Sequence, residues 1–420
     1  MPAGPGQAGL LRFRFWFAIG FAAIFGAAAA TGWARCGFLG EEQQPLVQVN
    51  TCFLVIAGIA VSITAILEAN RNPDPKSGWL FVVGIATHFW ADMFKFSGSG
   101  EDECYYPGRC LDPEMAPTPG DEIPGSPTTG YIVAALLNTV ACGIFAKVAT
   151  SRGHFKDSAL SWGFAALEVS LAATRFASGS GASSVIILSG LALYAAGLLH
   201  SYTAVLHLQG NMGAALFAAA LGLKWFAHGT REFSVYDERF GRNIHAEAAN
   251  DDDETALKAG RACVGLAATA AWMCMVGSYA KFKSQQTSNR QIQPDAGNDV
   301  PGEGGSPATA YFVLGMSCDM FAAVCIRWSQ YTTKFGDDPT AGRPFESEQE
   351  PHVGRILAAI SSTLAFLSLC LAAKEAWADQ ASIFHGESQS GQDQPAGLRR
   401  HDAAPGAAPG AAPNHRPVDF

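Results

Sequence analysis

Polarity along this chain changes in long blocks rather than at the short periods of amphipathic helices or half-buried strands. A helix that crosses a bilayer needs roughly 20 mostly apolar residues, with about 17 to 25 tolerated. Ten windows of that kind occur, approximately Phe15 to Trp33, Cys52 to Leu67, Trp79 to Phe96, Thr129 to Ala149, Ala159 to Phe176, Val185 to Leu206, Met212 to Ala227, Ala259 to Tyr279, Ala308 to Trp328 and Val353 to Ala373. The expected fold is an all-α integral membrane protein, a polytopic bundle of about ten transmembrane helices over residues 15–377. The second and seventh windows are short, and re-entry or a shifted boundary would remove one of them, so the expected count is nine or ten.

The first window admits two readings. Arg12 and Arg14 precede an apolar run that ends in Ala28, Ala29, Ala30 and Thr31, the plan of a secretory signal peptide. The run is long for that purpose and closes on Trp33, an aromatic residue of the kind that collects at membrane interfaces. A retained span is the favoured reading.

Composition agrees with lipid as the solvent. Of 420 residues, 49% are hydrophobic and 15% are charged, where a soluble chain carries about 25% charged residues. Mean hydropathy is +0.12, and the formal charge of −9 sits in connecting segments and tails. There is no basic stripe, no Lys/Arg cluster longer than Arg399 and Arg400, and no zinc-finger spacing, which sets nucleic-acid binding aside.

Placing the N-terminal segment 1–14 in the cytoplasm puts Arg71, Lys76, Arg152, Lys156, Lys281, Lys283 and Arg290 on the inner side with Arg12 and Arg14. The outer loops are then 97–128, with Glu101, Asp102 and Glu103, 228–258, with Asp251 to Glu254, and 332–352, with Glu346, Glu348 and Glu350. Only Lys and Arg decide topology. The outer set still holds Arg231, Arg239, Arg242 and Arg343 against the larger inner set. Both termini are expected in the cytoplasm of a plasma membrane or endomembrane protein. The tail 378–420 turns polar and then repeats Ala-Ala-Pro-Gly, a composition that buries no core and is expected to be disordered.

Cysteines follow the same division. Cys104 and Cys110 lie in the first long outer loop, and Cys36 and Cys52 flank an earlier one, so one or two disulfides are expected on an oxidising face. Cys142, Cys263, Cys274, Cys318, Cys325 and Cys370 fall inside apolar windows at no metal-ligand spacing and read as small packing residues. No Asn-x-Ser/Thr acceptor for N-glycans occurs.

Basic-aromatic pairs recur on alternate windows: Lys95-Phe96, Arg175-Phe176, Lys224-Trp225 and Arg327-Trp328. The first two continue alike, into Ser97-Gly98-Ser99-Gly100 and Ala177-Ser178-Gly179-Ser180-Gly181. A repeated helical hairpin would produce this pattern. So would the general preference of aromatic and long basic side chains for the interface.

Function should show where ionisable groups enter the apolar windows, since each costs several kcal/mol at membrane depth and needs a partner or a water-lined cavity. His88, Asp92 and Lys95 share one helix face, with Asp92 and Lys95 able to neutralise each other. Glu168 and Arg175 lie two turns apart, too far to pair, so each should reach a neighbouring helix. Asp319 and Arg327 repeat that theme, and Lys224 and His228 lie one turn apart. Together these nine residues could line a polar pathway open to the outside. That is the equipment of a secondary transporter or channel for a small solute or ion. The competing reading is structural, with interhelical salt bridges in a non-catalytic scaffold or a subunit of a larger membrane complex or homo-oligomer. Small-residue stretches such as Ala22 to Ala30 and Ala214 to Gly222 would there allow close helix contact.

Enzyme signatures are lacking: no phosphate-cradling glycine motif, no His-Glu-x-x-His, no Gly-x-Ser-x-Gly. The stretch from His200 through His207 to Gly222-Leu223-Lys224 and His228 resembles the third-helix region of the cytochrome b561 family over a short part of the chain. The resemblance implies haem b held between paired histidines drawn from His88, His200, His207 and His228. His207 and His228 are expected at opposite membrane faces, and core or interfacial histidines are the favoured reading, with no cofactor.

Overall fold

A computed structural model of the chain describes residues 5–35, 44–71, 78–98, 129–180, 185–236, 251–292, 307–335 and 353–390. Ten α-helices follow one another among them: α1 Pro5–Arg35, α2 Gln44–Arg71, α3 Trp79–Gly98, α4 Thr129–Ser151, α5 Phe155–Ser180, α6 Ile186–His207, α7 Met212–Tyr236, α8 Asp251–Ile292, α9 Pro307–Phe335 and α10 Val353–Ser390. Each apolar window forms the body of one helix. Polar flanks extend them, so the short second window lies within 28 helical residues and the short seventh within 25. For the same reason α7 and α8 take up both ends of the acidic stretch 228–258, and α10 runs into the polar tail as far as Ser390.

Among the described residues seven helices are long and apolar enough to cross a membrane: α1, α2, α4, α6, α8, α9 and α10. The chain is therefore a multi-pass helical membrane protein. The three that fall short, α3, α5 and α7, are helices that carry the charges singled out above, including Asp92, Glu168, Arg175 and Lys224.

Sequence neighbours pack against one another from α1 to α10, and α10 returns to pack on α1, closing the order into a ring. Neighbours run antiparallel: Trp33 near the end of α1 reaches Thr363 early in α10, while Phe15 early in α1 lies tilted against Trp377 late in α10. Side chains also meet between alternate helices. Phe21 of α1 lies edge-on to Phe89 of α3 and to Phe312 of α9, at ring-centre distances of 5.4 and 5.2 Å. Ion pairs join α3 to α5 and α7 to α9. Odd-numbered helices thus form an inner layer, with an even-numbered helix outside each adjoining pair.

Exposure supports the same division. Large apolar side chains at the surface concentrate on the even helices, among them Ile56 and Ile59, Leu136 and Val140, Leu191 and Leu198, Leu266 and Met273, and Leu364 and Leu367. Among the described residues α1 and α9 expose none. The outer surface is thus rich in large apolar side chains, while small residues are frequent in the interior. Ala22, Ala23, Ala27, Ala215, Ala218 and Ala220 are all buried, and a Cβ on Gly197 would meet the carbonyl oxygen of Gly222 at 3.1 Å. Lipid tails are as apolar as leucine, so close backbone approach and interhelical hydrogen bonds must hold such a bundle together.

One device recurs at three inner-outer contacts. Trp90 of α3 covers Gly58 of α2 and donates its indole N–H to Ser62, at 3.2 Å; Trp328 of α9 covers Gly265 of α8 and donates to Thr269, at 3.1 Å. Trp33 of α1 donates to Thr363 of α10, at 3.0 Å, beside the contact of Gly32 with Ala359. In each case the hydroxyl itself donates to the carbonyl four residues back, at Gly58, Gly265 or Ala359. A small residue makes room for the ring, and the hydroxyl one turn on satisfies its buried N–H.

Candidate functional site

Five polar side chains from α3, α4 and α5 form a circuit of four hydrogen bonds and one longer ion pair. The α3 helix presents His88 and Asp92 one turn apart, α5 presents Glu168 and Arg175 two turns apart, and α4 inserts Asn138 between them. Nδ1 of His88 lies 2.8 Å from Oε1 of Glu168. The other Glu168 oxygen accepts from Nδ2 of Asn138 at 2.5 Å, and Oδ1 of Asn138 accepts from Nη1 of Arg175 at 2.5 Å. Nη2 of Arg175 donates to Asp92, whose second oxygen lies 3.5 Å from Nε2 of His88.

Burial explains why the circuit must close. Asn138 is fully buried and Glu168 and Arg175 are 1% and 3% exposed, whereas the side chains of His88 and Asp92 keep 22% and 24%. Unpaired charges at such sites are strongly disfavoured, and breaking a buried pair costs about 3–5 kcal/mol. Asn138 suits its place because an amide both donates and accepts, so it joins a carboxylate to a guanidinium without adding charge. Both nitrogens of His88 face carboxylates, and an imidazolium could donate to both. Lys95, one turn beyond Asp92, acts on it electrostatically.

The second polar site joins α7 to α9. Nζ of Lys224 donates to Asp319 at 3.2 Å, with both side chains about one-fifth exposed. The same ammonium lies 5.6 Å from the Trp225 ring, and the Trp225 and His228 rings lie tilted at 5.9 Å between centres. Lys224, His228 and Arg327 line a crevice walled by Met320 of α9 and by Ala268 and Ala271 of α8. Arg327, Lys224 and Arg231 all act electrostatically on His228.

The nine ionisable residues expected to share one pathway thus divide between two sites. Asp92, Glu168, His88 and Arg175 meet, with Lys95 beside them; Lys224, His228, Asp319 and Arg327 meet elsewhere. Asp92 takes Arg175 as its hydrogen-bond partner, which holds its carboxylate from another helix. Asn138 carries no charge and so stands apart from the ionisable residues of the apolar windows. Its signal was an amide in the middle of an apolar window.

His200 is buried in α6, with Nδ1 2.7 Å from its own helix's Ala196 carbonyl and its ring against Gly163 and Phe164. His207 is exposed at the end of α6, and both nitrogens of His88 are engaged by carboxylates. Among the described residues no three His, Cys, Asp or Glu side chains gather as metal ligands.

Cys52 is a free thiol on the exposed side of α2, two turns inside the helix, and no disulfide is seen among the described residues. Cys36, Cys104 and Cys110 lie outside the described residues. No family model, curated protein or solved structure matches the chain.

Proposed function

We propose that this protein is a proton-coupled carrier for a small solute or ion, with the His88–Glu168–Asn138–Arg175–Asp92 circuit as its coupling centre. The observation that carries the reading is the seat of His88 between two carboxylates in a largely buried circuit. Among the circuit's members, only histidine ordinarily titrates near neutral pH. A proton gained or lost there changes the charge of the whole group by one unit. At membrane depth an uncompensated charge costs several kcal/mol, so proton movement has to be matched by a change of partners or the arrival of an ion.

The same reading takes all ten helices as membrane crossings with both termini in the cytoplasm. Even-numbered helices shelter α3, α5 and α7 from lipid, so these three can span with lower hydropathy. The first helix is retained rather than cleaved, in keeping with its packing against α2 and α10. A partner-binding scaffold is the weaker alternative, because the small-residue faces that would dock a partner are used within the chain.

Proteoliposomes carrying a pH-sensitive dye test the proposal against a panel of monovalent ions, organic acids, amino acids and sugars. At least one gradient should drive proton movement in the wild type, and His88→Gln should abolish it. No proton movement with any solute, or coupling unchanged in His88→Gln, would overturn the reading.

A further inference from the structure

We propose that the corner where α4 ends, α5 begins and α6 ends binds an acidic phospholipid, with its phosphate against Lys147 and Lys156 and its acyl chains along α4 and α6. Both outer helices are long and apolar enough to cross a membrane, and each carries an exposed apolar stripe. On α4 the stripe passes from Leu136 and Val140 through Gly143 to Lys147, all exposed at helical spacing. On α6 it passes from Leu191 and Leu198 to Tyr202. One stripe therefore ends on a cation and the other on an aromatic ring, at the same end of the bundle. A Cβ at Gly143 would meet no neighbouring helix or side chain, which leaves a gap in the α4 stripe one turn from the ammonium.

Phe155, the first residue of α5, lies tilted against Tyr202 at 5.7 Å between ring centres, and the two are 55% and 40% exposed. Such a pair is costly in water and suits the level where headgroups meet acyl chains. Lys156 follows Phe155, and neither Lys156 nor Lys147 has a side-chain partner among the described residues. Nη1 of Arg152, in the turn between α4 and α5, donates to the Asp157 carbonyl oxygen at 3.2 Å, a neutral acceptor that leaves the guanidinium charge in place. The turns 152–154 and 208–211 are both described, and Asp157 is the one carboxylate that they and the adjoining helix ends hold. Lys147, Arg152 and Lys156 thus stand against a single acid. A basic site between spanning helices attracts an acidic headgroup by charge, and the apolar stripes beside it take the chains. A free phosphate would find the same cations without that apolar contact. The inference rests on the membrane crossing of α4 and α6 and goes beyond the carrier reading.

The test titrates the full chain in neutral detergent micelles with phosphatidylglycerol, or with phosphatidylcholine of the same acyl chains, and follows thermal unfolding. A saturable rise in unfolding temperature is expected, with a half-saturating concentration about fivefold lower for the acidic lipid. The double variant Lys147→Gln, Lys156→Gln should raise that concentration about fivefold, and both side chains are exposed, so the fold is kept. The control Lys281→Gln, Lys374→Gln removes as much exposed charge at the same end of the bundle, on α8 and α10, and should leave it within about twofold. Equal responses to the two lipids overturn the proposal. Equal losses in the two double variants also overturn it, by reducing the effect to the general attraction of basic residues for acidic membranes. The same stabilisation by inorganic phosphate alone would assign the corner to a free anion and overturn the lipid site. Lipid selection in a protein that moves no protons would sink the carrier reading and leave this site standing.

Discussion

In the α3–α5 sector the outer helix contributes Asn138, whose amide joins Glu168 to Arg175; in the α7–α9 sector the corresponding outer helix contributes Ala268 and Ala271. The inner helices are otherwise alike. A polar residue near mid-helix is followed by a basic one after seven residues in α5 (Glu168, Arg175) and α7 (Lys224, Arg231), and after eight in α9 (Asp319, Arg327). One bridging amide converts such a pair of helices into a closed, buried circuit. Where the outer helix offers alanine instead, Lys224 pairs directly with Asp319 beside a small crevice lined by His228 and Arg327. The outer helix therefore decides whether the polar groups of two inner helices join into one circuit.

The largest test of that contrast is to remove one cation from each sector. Arg175→Leu should cost about 3–5 kcal/mol, because it removes a buried guanidinium and strands fully buried Asn138 beside the buried Glu168 carboxylate. Lys224→Leu should cost about 1 kcal/mol, since water screens a pair that is one-fifth exposed. Thermal unfolding of both variants in nanodiscs reads the difference, and equal losses would break the distinction. Next, Asn138→Leu should lower stability by about 2–4 kcal/mol, by orphaning one oxygen of Glu168 and one arm of Arg175. A neutral Asn138→Leu would show that the amide is not the keystone.

Smaller effects sharpen what the two sectors share. Trp90→Phe and Trp328→Phe each delete one indole hydrogen bond to a hydroxyl and should each cost about 1 kcal/mol. A loss confined to one of them would show that the repeated device is not equivalent in the two sectors. At the bottom of the scale, Leu198→Ala on the outer face of α6 should stay within about 0.5 kcal/mol. A large loss there would mean that the even helices are not the lipid-facing layer.

Hydropathy made the ten helices legible, because the apolar windows are long and the chain between them is polar. Inner and outer layers were not legible: α9 and α10 are both apolar enough to span, yet only α10 exposes large side chains such as Leu364 and Leu367. Periodicity cannot separate them when both faces of a helix are apolar. The charged residues were legible as a set but not in their partners. Glu168 and Arg175 each reach other helices, as their spacing requires, but nothing in the sequence distinguishes Asp92 from Asp319 as the partner of Arg175. The tryptophan device was hidden for a related reason. Its glycine and hydroxyl lie on one helix and its indole on another, so no local motif marks it.

Closure of the helix ring also bears on how the chain can be made. Trp33 and its acceptor Thr363 are separated by 330 residues, so the face of α1 that packs Ala18, Ala22 and Phe25 against Leu369 and Ala372 has no permanent neighbour until the last helix has been synthesised. The other pairings of consecutive helices are local, whereas the packing of α1 on α10 and the contact of Phe21 with Phe312 join distant parts of the chain. The start of α1 and the end of α10 also lie at the same end of the molecule. A peptide joining them, with new ends opened between two other helices, would keep every native contact while moving the late step to a different pair of helices.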